Sequence, residues 1–320
     1  MRKSHVVIFI FITFLFSACK KDLLQWQSVQ KIESNSDTDR LSKIIFVGDK
    51  DGFIVGGAWY TEALILSTKD GGNTWQKKAY PDVGQLLMSA TVSPSGSIYA
   101  CGFEGKMMHT TDTGNNWQFS QLEHYWFRDM AFTDAGHAIV IGGISFNSGM
   151  MQHIDSSGNL LKRDSLNYQL NQITMVSGSV GYICGLGIVL KTTDGGKTWP
   201  VQNVLNDNFM AMDIHGEEIW MCGYNGGIYH TGNGGNNWTR LRNGNDITLP
   251  RYHLNSILFK DSRNGWAVGE KGIILYSDDG GNHWMEYKHF TNNNLLSIAL
   301  SADGHLFVVG ENACIYKLTV

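Results

Sequence analysis

Residues Lys191–Trp199 read K-T-T-D-G-G-K-T-W, and versions of this stretch recur at Ser67–Trp75, His109–Trp117, His230–Trp238 and Tyr276–Trp284. Self-similarity at a spacing near 40 residues is the mark of a repeat architecture, and it governs how the rest of the chain is read. Each copy follows a β-type run such as Ile188–Thr193 and precedes another. A short Asp side chain in a turn accepts hydrogen bonds from backbone N–H groups a few residues on, and glycine supplies positive φ without a Cβ clash. The motif is therefore a hairpin turn, and its Trp is placed to fill the wedge between neighbouring sheets. Asp70, Asp112, Asp194, Asn233 and Asp279, with Trp75, Trp117, Trp199, Trp238 and Trp284, are read as structural residues.

Working outward from these turns, seven short strands run into a glycine, among them Phe53–Gly56, Ile98–Gly102, Trp266–Gly269 and Leu306–Gly310. Each follows an apolar strand and a polar turn such as Ser93–Gly96 or Ser301–Gly304. The unit is strand A, turn, strand B to glycine, loop, strand C, Asp turn, strand D. Four strands per unit and seven units predict an all-β, seven-bladed β-propeller with antiparallel blades. One unit has lost its turn motif: His153–Leu161 carries Ser156 and Leu161 where Asp and Trp are expected. At the N-terminus, Leu23–Ile32 resembles a strand D with no turn before it, while Leu295–Val320 lacks one. The first strand is thus expected to complete the last blade beside Ile315–Leu318, which removes two open sheet edges.

The pattern Ser/Thr-x-Asp-x-Gly-x-x-Trp resembles the Asp-box, or BNR repeat, of sialidases and related propellers. Seven units with strands like Gly265-Trp-Ala-Val-Gly269 and turns like Asp194–Trp199 resemble the seven-bladed family of photosystem II stability and assembly factors over residues 23–320. That resemblance implies a non-catalytic assembly chaperone.

The first residues have a separate meaning. Arg2 and Lys3 precede the apolar run Val6–Phe16, which is of secretory length and short for a membrane span. Leu15–Cys19 resembles a bacterial lipobox, with Phe16 departing from the usual aliphatic residue. The expected organisation is a lipoprotein signal over 1–18, a lipidated Cys19 and short tether over 19–22, and the propeller over 23–320, exported and membrane-anchored in the bacterial cell envelope. Removing 1–18 takes Arg2 and Lys3 from the 25 basic residues and nothing from the 29 acidic ones, moving the net charge from −4 to −6. No basic stripe with interleaved aromatics invites nucleic acid.

Cys101, Cys184 and Cys222 each precede a strand-B glycine in a different unit, and Cys314 lies near the last strand, so no disulfide is expected. The histidines are scattered without metal-ligand spacing, and neither metal nor cofactor is expected.

Strand direction divides the loops between two faces. The A–B turns and Asp turns on one face are short and repetitive. The D–A and B–C loops on the other carry irregular aromatic and charged residues: Trp59, Tyr60, Tyr125, Trp126, Arg128, Phe146, Arg251 and Tyr252, with Glu270 and Glu311 just after strand-B glycines. Loop aromatics and arginines on a rigid frame suit a binding face, for an envelope protein first and a glycan second. The competing class is a sialidase-like glycoside hydrolase using carboxylates such as Glu270, Glu311 and Glu104. Sialidases also need an arginine cluster and a Tyr–Glu pair, and Arg40, Arg128, Arg163, Arg240, Arg242, Arg251 and Arg263 do not follow that pattern.

Overall fold

The computed structural model describes residues 23–32, 39–122, 124–134, 136–155, 158–204, 207–249 and 251–319; the expected signal segment, Cys19 and the tether lie outside them. The described residues form seven antiparallel sheets arranged in sequence order. Blade 1 comprises Arg40–Val47, Asp51–Ala58, Glu62–Thr68 and Gln76–Tyr80, and the same A-to-D order repeats through blade 7. The innermost strands alternate buried and half-exposed residues, whereas the B strands are buried along most of their length because a neighbouring blade covers each face.

Blade 4 shows how one residue trims a strand. Its first three strands are complete, but the fourth is reduced to the Leu190–Val201 bridge, flanked by bonds from the Lys191 N–H to the Pro200 carbonyl and from the Gln202 N–H to the Val189 carbonyl. Pro200 directly follows the turn Trp and has no N–H to extend the ladder.

The ring closes as the sequence implies. Ser28–Ile32 pairs antiparallel with Ile315–Thr319, from Ser28 opposite Thr319 to Ile32 opposite Ile315. The Gln27 N–H still bonds to the Thr319 carbonyl, but residues 23–26 do something different from the expected continuation of that strand. Leu24 makes a parallel bridge to Tyr287 of blade 6, and Trp26 stacks on Tyr287 with ring centroids 3.7 Å apart. The first segment therefore clasps two blades.

The five intact turns share one hydrogen-bond scheme. In blade 1 the Thr68 hydroxyl donates to Asp70 Oδ1 at 2.7 Å and accepts from the Gly72 N–H at 2.9 Å, while Asp70 Oδ1 also accepts the Thr74 N–H at 2.9 Å. Asp112, Asp194, Asn233 and Asp279 accept the equivalent N–H four residues on. These bonds favour the ionised form: the Asn116 backbone holds Asp112, and the Thr198 hydroxyl holds Asp194, at a pKa of about 2. The second turn glycine lies on the strand-B side chain of the preceding blade, so a Cβ on Gly114 would fall 2.4 Å from the Phe53 ring.

Blade 3 departs from the expected placement of its eroded turn. Asp155, one position earlier than expected, is the turn acceptor: it takes the Asn159 N–H at 2.8 Å and the Asn159 side-chain amide at 2.9 Å. Ile154 already pairs with Leu160, so the hairpin is tighter than in the other blades, and Leu160 and Leu161 are exposed. Ser156 lies outside the described residues.

Polar side chains of the inner strands tie blade to blade. Asp129 of blade 3 accepts the Ser89 hydroxyl of blade 2 at 2.6 Å and the Ile173 N–H of blade 4 at 3.0 Å. Gln172 of blade 4 accepts the Met212 N–H of blade 5 at 2.7 Å, and Ser297 of blade 7 accepts the Ile44 N–H of blade 1 at 3.3 Å. Cys101, Cys184, Cys222 and Cys314 are free and buried.

Candidate functional site

Each inner strand slips register near its start, between Leu41 and Lys43 in blade 1 and at the matching place in the other six. A bulge of this kind re-aims a side chain. The seven residues so placed are Ser42, Met88, Arg128, Asn171, Met210, Asn255 and Leu296, and together with Arg40 they line a cavity of about 130 Å³ at the channel mouth. The mouth opens on the face of the D–A and B–C loops, because the D–A loops feed the start of every inner strand.

Two guanidinium groups dominate it. Arg128 donates through Nη2 to Gln169 Oε1 at 3.1 Å, and burial, helped by the neighbouring charge of Arg40, lowers its pKa to about 10. Arg40 lies 3.5 Å from Glu311, and its own pKa is lowered by burial against the pull of that carboxylate. The Nε of each arginine is buried without a hydrogen-bond partner among the described residues. Two like charges half-desolvated at one opening create a strong local preference for an anionic or carbonyl-rich ligand.

Beside the mouth runs an arc of rings. Trp59 packs on Phe103 at 4.5 Å between centroids, Phe103 on Trp126 at 4.7 Å, and Tyr60 lies 6.3 Å from Trp59. The arc spans blades 1 to 3, and Tyr60 stays 67% exposed. On the far side, Glu270 pairs with His253 at 3.2 Å, His253 stacks on Tyr224 at 3.6 Å, and Tyr252 lies 6.0 Å from His289. Phe146, 69% exposed, overhangs a depression shared with Tyr224 and Asp207. Tyr125 is set apart under the Arg163 guanidinium at 5.1 Å, and Arg251 is exposed.

The anticipated residues thus fall into two groups rather than one patch. Trp59, Tyr60 and Trp126 form the arc, with Arg128 and Glu311 at the mouth beside it; Tyr252 and Glu270 belong to the blade 5–6 side. Sequence reasoning missed Phe103, Tyr224 and Arg40. Phe103 and Tyr224 hold the same repeat position as Glu270 and Glu311, each donating its N–H to the residue preceding an inner strand. Aligning the units at the strand-B glycine would have found them.

The exposed large hydrophobic residues support this face. Trp59, Tyr60, Ile144, Phe146, Tyr224 and Ile247 lie on it, whereas the opposite face exposes Val92 and Val176, with Leu160 and Leu161 beside the blade 3 turn, among the described residues. The carboxylates are less suited to chemistry. Glu270 is committed to His253, and Glu311 to Arg40 and to the Asn294 amide at 2.8 Å. Arg263 sits in a turn on the opposite face, bonded to the Asp278 carbonyl, and Arg163 lies in an outer strand. Among the described residues no three or more His, Cys, Asp or Glu side chains gather as metal ligands, and no helix is long and apolar enough to cross a membrane.

A family model described as photosynthesis system II assembly factor YCF48 matches residues 19–126 and 165–250, more than half of the chain. Among solved structures, YCF48 from Cyanidioschyzon merolae aligns with a TM-score of 0.69 at 18% identity, covering 91% of this chain and 98% of that one. YCF48 bound to D1 peptide aligns at 0.70 and 18% identity, covering 93% and 99%. A streptogramin B lyase aligns at 0.73 and 16% identity, covering 91% and 97%. At these identities the structural likeness speaks for the fold alone. No curated protein matches the sequence.

Proposed function

Because the chain belongs to the photosynthesis system II assembly factor YCF48 family, we propose that it is a non-catalytic scaffold binding a segment of a partner protein across its channel mouth. The carrying observation is the junction of the Trp59–Phe103–Trp126 arc with the Arg40–Arg128 pair on the one face where exposed rings collect. An extended peptide can lay apolar side chains on the arc and present backbone carbonyls or a carboxylate to the guanidinium groups. The solved YCF48 with a D1 peptide supports a peptide as the ligand class. That a lyase shares the propeller does not carry chemistry over, since function resides in the site.

Replacing both Trp59 and Trp126 by Ala should cut recovery of cross-linked partners from membranes by roughly tenfold or more, the size of effect expected of aromatic anchors. Unchanged recovery would mean that another surface does the binding. Turnover of chromogenic glycosides by the purified protein, abolished in Glu270→Gln, would replace the scaffold reading by a catalytic one.

The scaffold is proposed to work from the cell envelope, tethered by lipid on Cys19. The lipobox-like Leu15–Cys19 supports this, and Lys20–Asp22 is a tether of only about 10 Å when extended. Cys19→Ser should move the protein from the membrane to the soluble fraction after cell disruption, while wild type stays with the membrane until detergent is added. Persistent membrane association of the variant would rule the anchor out.

A further inference from the structure

The strand-B side chain facing the next blade is Phe53, Ile139, Tyr182, Trp220, Trp266 or Phe307 in six of the blades, and each is 3% exposed or less. An indole accounts for this cover. Trp75 packs on Phe307 at 6.3 Å and Trp117 on Phe53 at 6.0 Å. Trp199, Trp238 and Trp284 join the clusters of Ile139, Tyr182 and Trp220. Between blades 6 and 7, where no turn exists, Trp26 takes the place and joins the cluster of Trp266.

The seventh position is Tyr99 of blade 2, and it is only partly buried. Blade 3 would have to supply its indole, and the tightened hairpin at Asp155–Asn159 supplies none. The result is a cavity of about 360 Å³ between blades 2 and 3. Its lining includes Tyr99, Phe132, Met107, His109 and Phe119, with Asp155 among the acceptors. The matching groove between blades 1 and 2 is different in kind: Trp117 forms its wall, and Lys69, Lys77 and Lys78 line it.

We propose that this wedge is a binding site for a planar bicyclic aromatic carrying a ring N–H, of the indole type. Tyr99 stacks with His109 at 5.3 Å and meets Phe132 at 4.8 Å, which leaves a ready aromatic platform. Phe119 flanks it, 44% exposed, and thioether and ring surfaces favour flat aromatic ligands. In two of the filled wedges the ring N–H donates to a turn carbonyl, Trp75 to Gly72 at 3.2 Å and Trp199 to Gly196 at 3.1 Å, while the ring N–H groups of Trp238 and Trp284 have no hydrogen-bond partner among the described residues. Here Gln118 lines the cavity beside Asp155, whose carboxylate oxygens also accept from Asn159. The volume falls in the range of small-ligand pockets, about 300–1,000 Å³. The site is on the outer rim and independent of the channel mouth.

The test is titration of the full-length protein with N-acetyl-tryptophanamide, with N-acetyl-leucinamide as control, followed by ligand-observed NMR and calorimetry. One indole should bind per chain, the leucine analogue should not, and Phe119→Ala should weaken binding roughly tenfold, the order of one lost aromatic contact with its buried area. Because Phe119 is half out in solvent, that variant folds; Tyr99→Leu, checked by circular dichroism, is the second. A tryptophan-bearing peptide binding more tightly than the free amide assigns the site to a protein side chain. The amide binding as tightly or more so assigns it to a free small aromatic. No binding of either, or equal affinity in wild type and both variants, overturns the proposal.

Discussion

Deleting Leu23–Ile32 should lower the melting temperature by about 10 °C or more and make the protein prone to aggregate. Three losses add up. The ladder from Ser28–Thr319 to Ile32–Ile315 disappears, and each net backbone hydrogen bond is worth about 0.5–1.5 kcal/mol. Ile32 leaves a cluster with Leu41, Ile44, Phe307 and Ile315, and Trp26 leaves Tyr287 and Phe290; burying such side chains is worth about 1.5–3 kcal/mol each. A net loss of several kcal/mol is a large share of a domain's stability of about 5–15 kcal/mol. At about 2–4 °C per kcal/mol for a chain of this size, the shift is unmistakable in a calorimetric scan. The deletion also bares Ile315–Thr319 as a free edge, which explains the aggregation. A truncated chain melting at the wild-type temperature would show that the ring does not depend on its clasp.

Asp129→Ala should cost about 2–6 kcal/mol, because it orphans the Ser89 hydroxyl and the Ile173 N–H at about 1–3 kcal/mol each. Asp129→Asn, which keeps a carbonyl oxygen, should cost less and change the pH dependence. Burial raises the Asp129 pKa above the ordinary 3.8, against Lys43, the Ser89 hydroxyl and the Ile173 and Met130 N–H groups. The folded chain therefore holds that proton more tightly than the unfolded chain does. The resulting stabilisation is complete below about pH 3.8 and fades as pH climbs through the folded value. The urea midpoint of wild type, relative to that of Asp129→Asn, should decline as pH rises from about 3 to 7. Parallel curves would remove Asp129 from the pH response.

Much of the architecture was readable because its signal is local. A turn such as Asp194–Trp199 specifies its own hydrogen bonds within five residues, so spacing alone counts the blades. The eroded turn of blade 3 was harder. Asp155 and Ser156 are adjacent candidates for the acceptor, and only the pairing of Ile154 with Leu160 decides between them. Residues 23–26 were misread because their contacts to Tyr287 and Lys288 lie more than 260 positions away. At the site, Trp59 and Trp126 announced themselves as loop aromatics, but the joining ring, Phe103, hides in a regular repeat position. The convergence of Arg40 and Arg128 depends on the register slip at Arg128 and on the ring bringing blades 1 and 3 to one mouth, which leave no mark in composition or period.

The clasp also sets an order of events. Ser28 and Thr319, joined by their side-chain hydroxyls at 2.9 Å, are 291 residues apart. Synthesis runs from the N-terminus, so Ser28–Ile32 is made early and stays unpaired with its partner until Ile315–Thr319 has been made. Contacts of such range slow folding, because the chain forfeits a large loop entropy before they return anything. Blades 1 to 6 can stack as they emerge, each on its predecessor. The propeller nonetheless remains an open arc, with both edges exposed, until Ser28–Ile32 and Ile315–Thr319 meet.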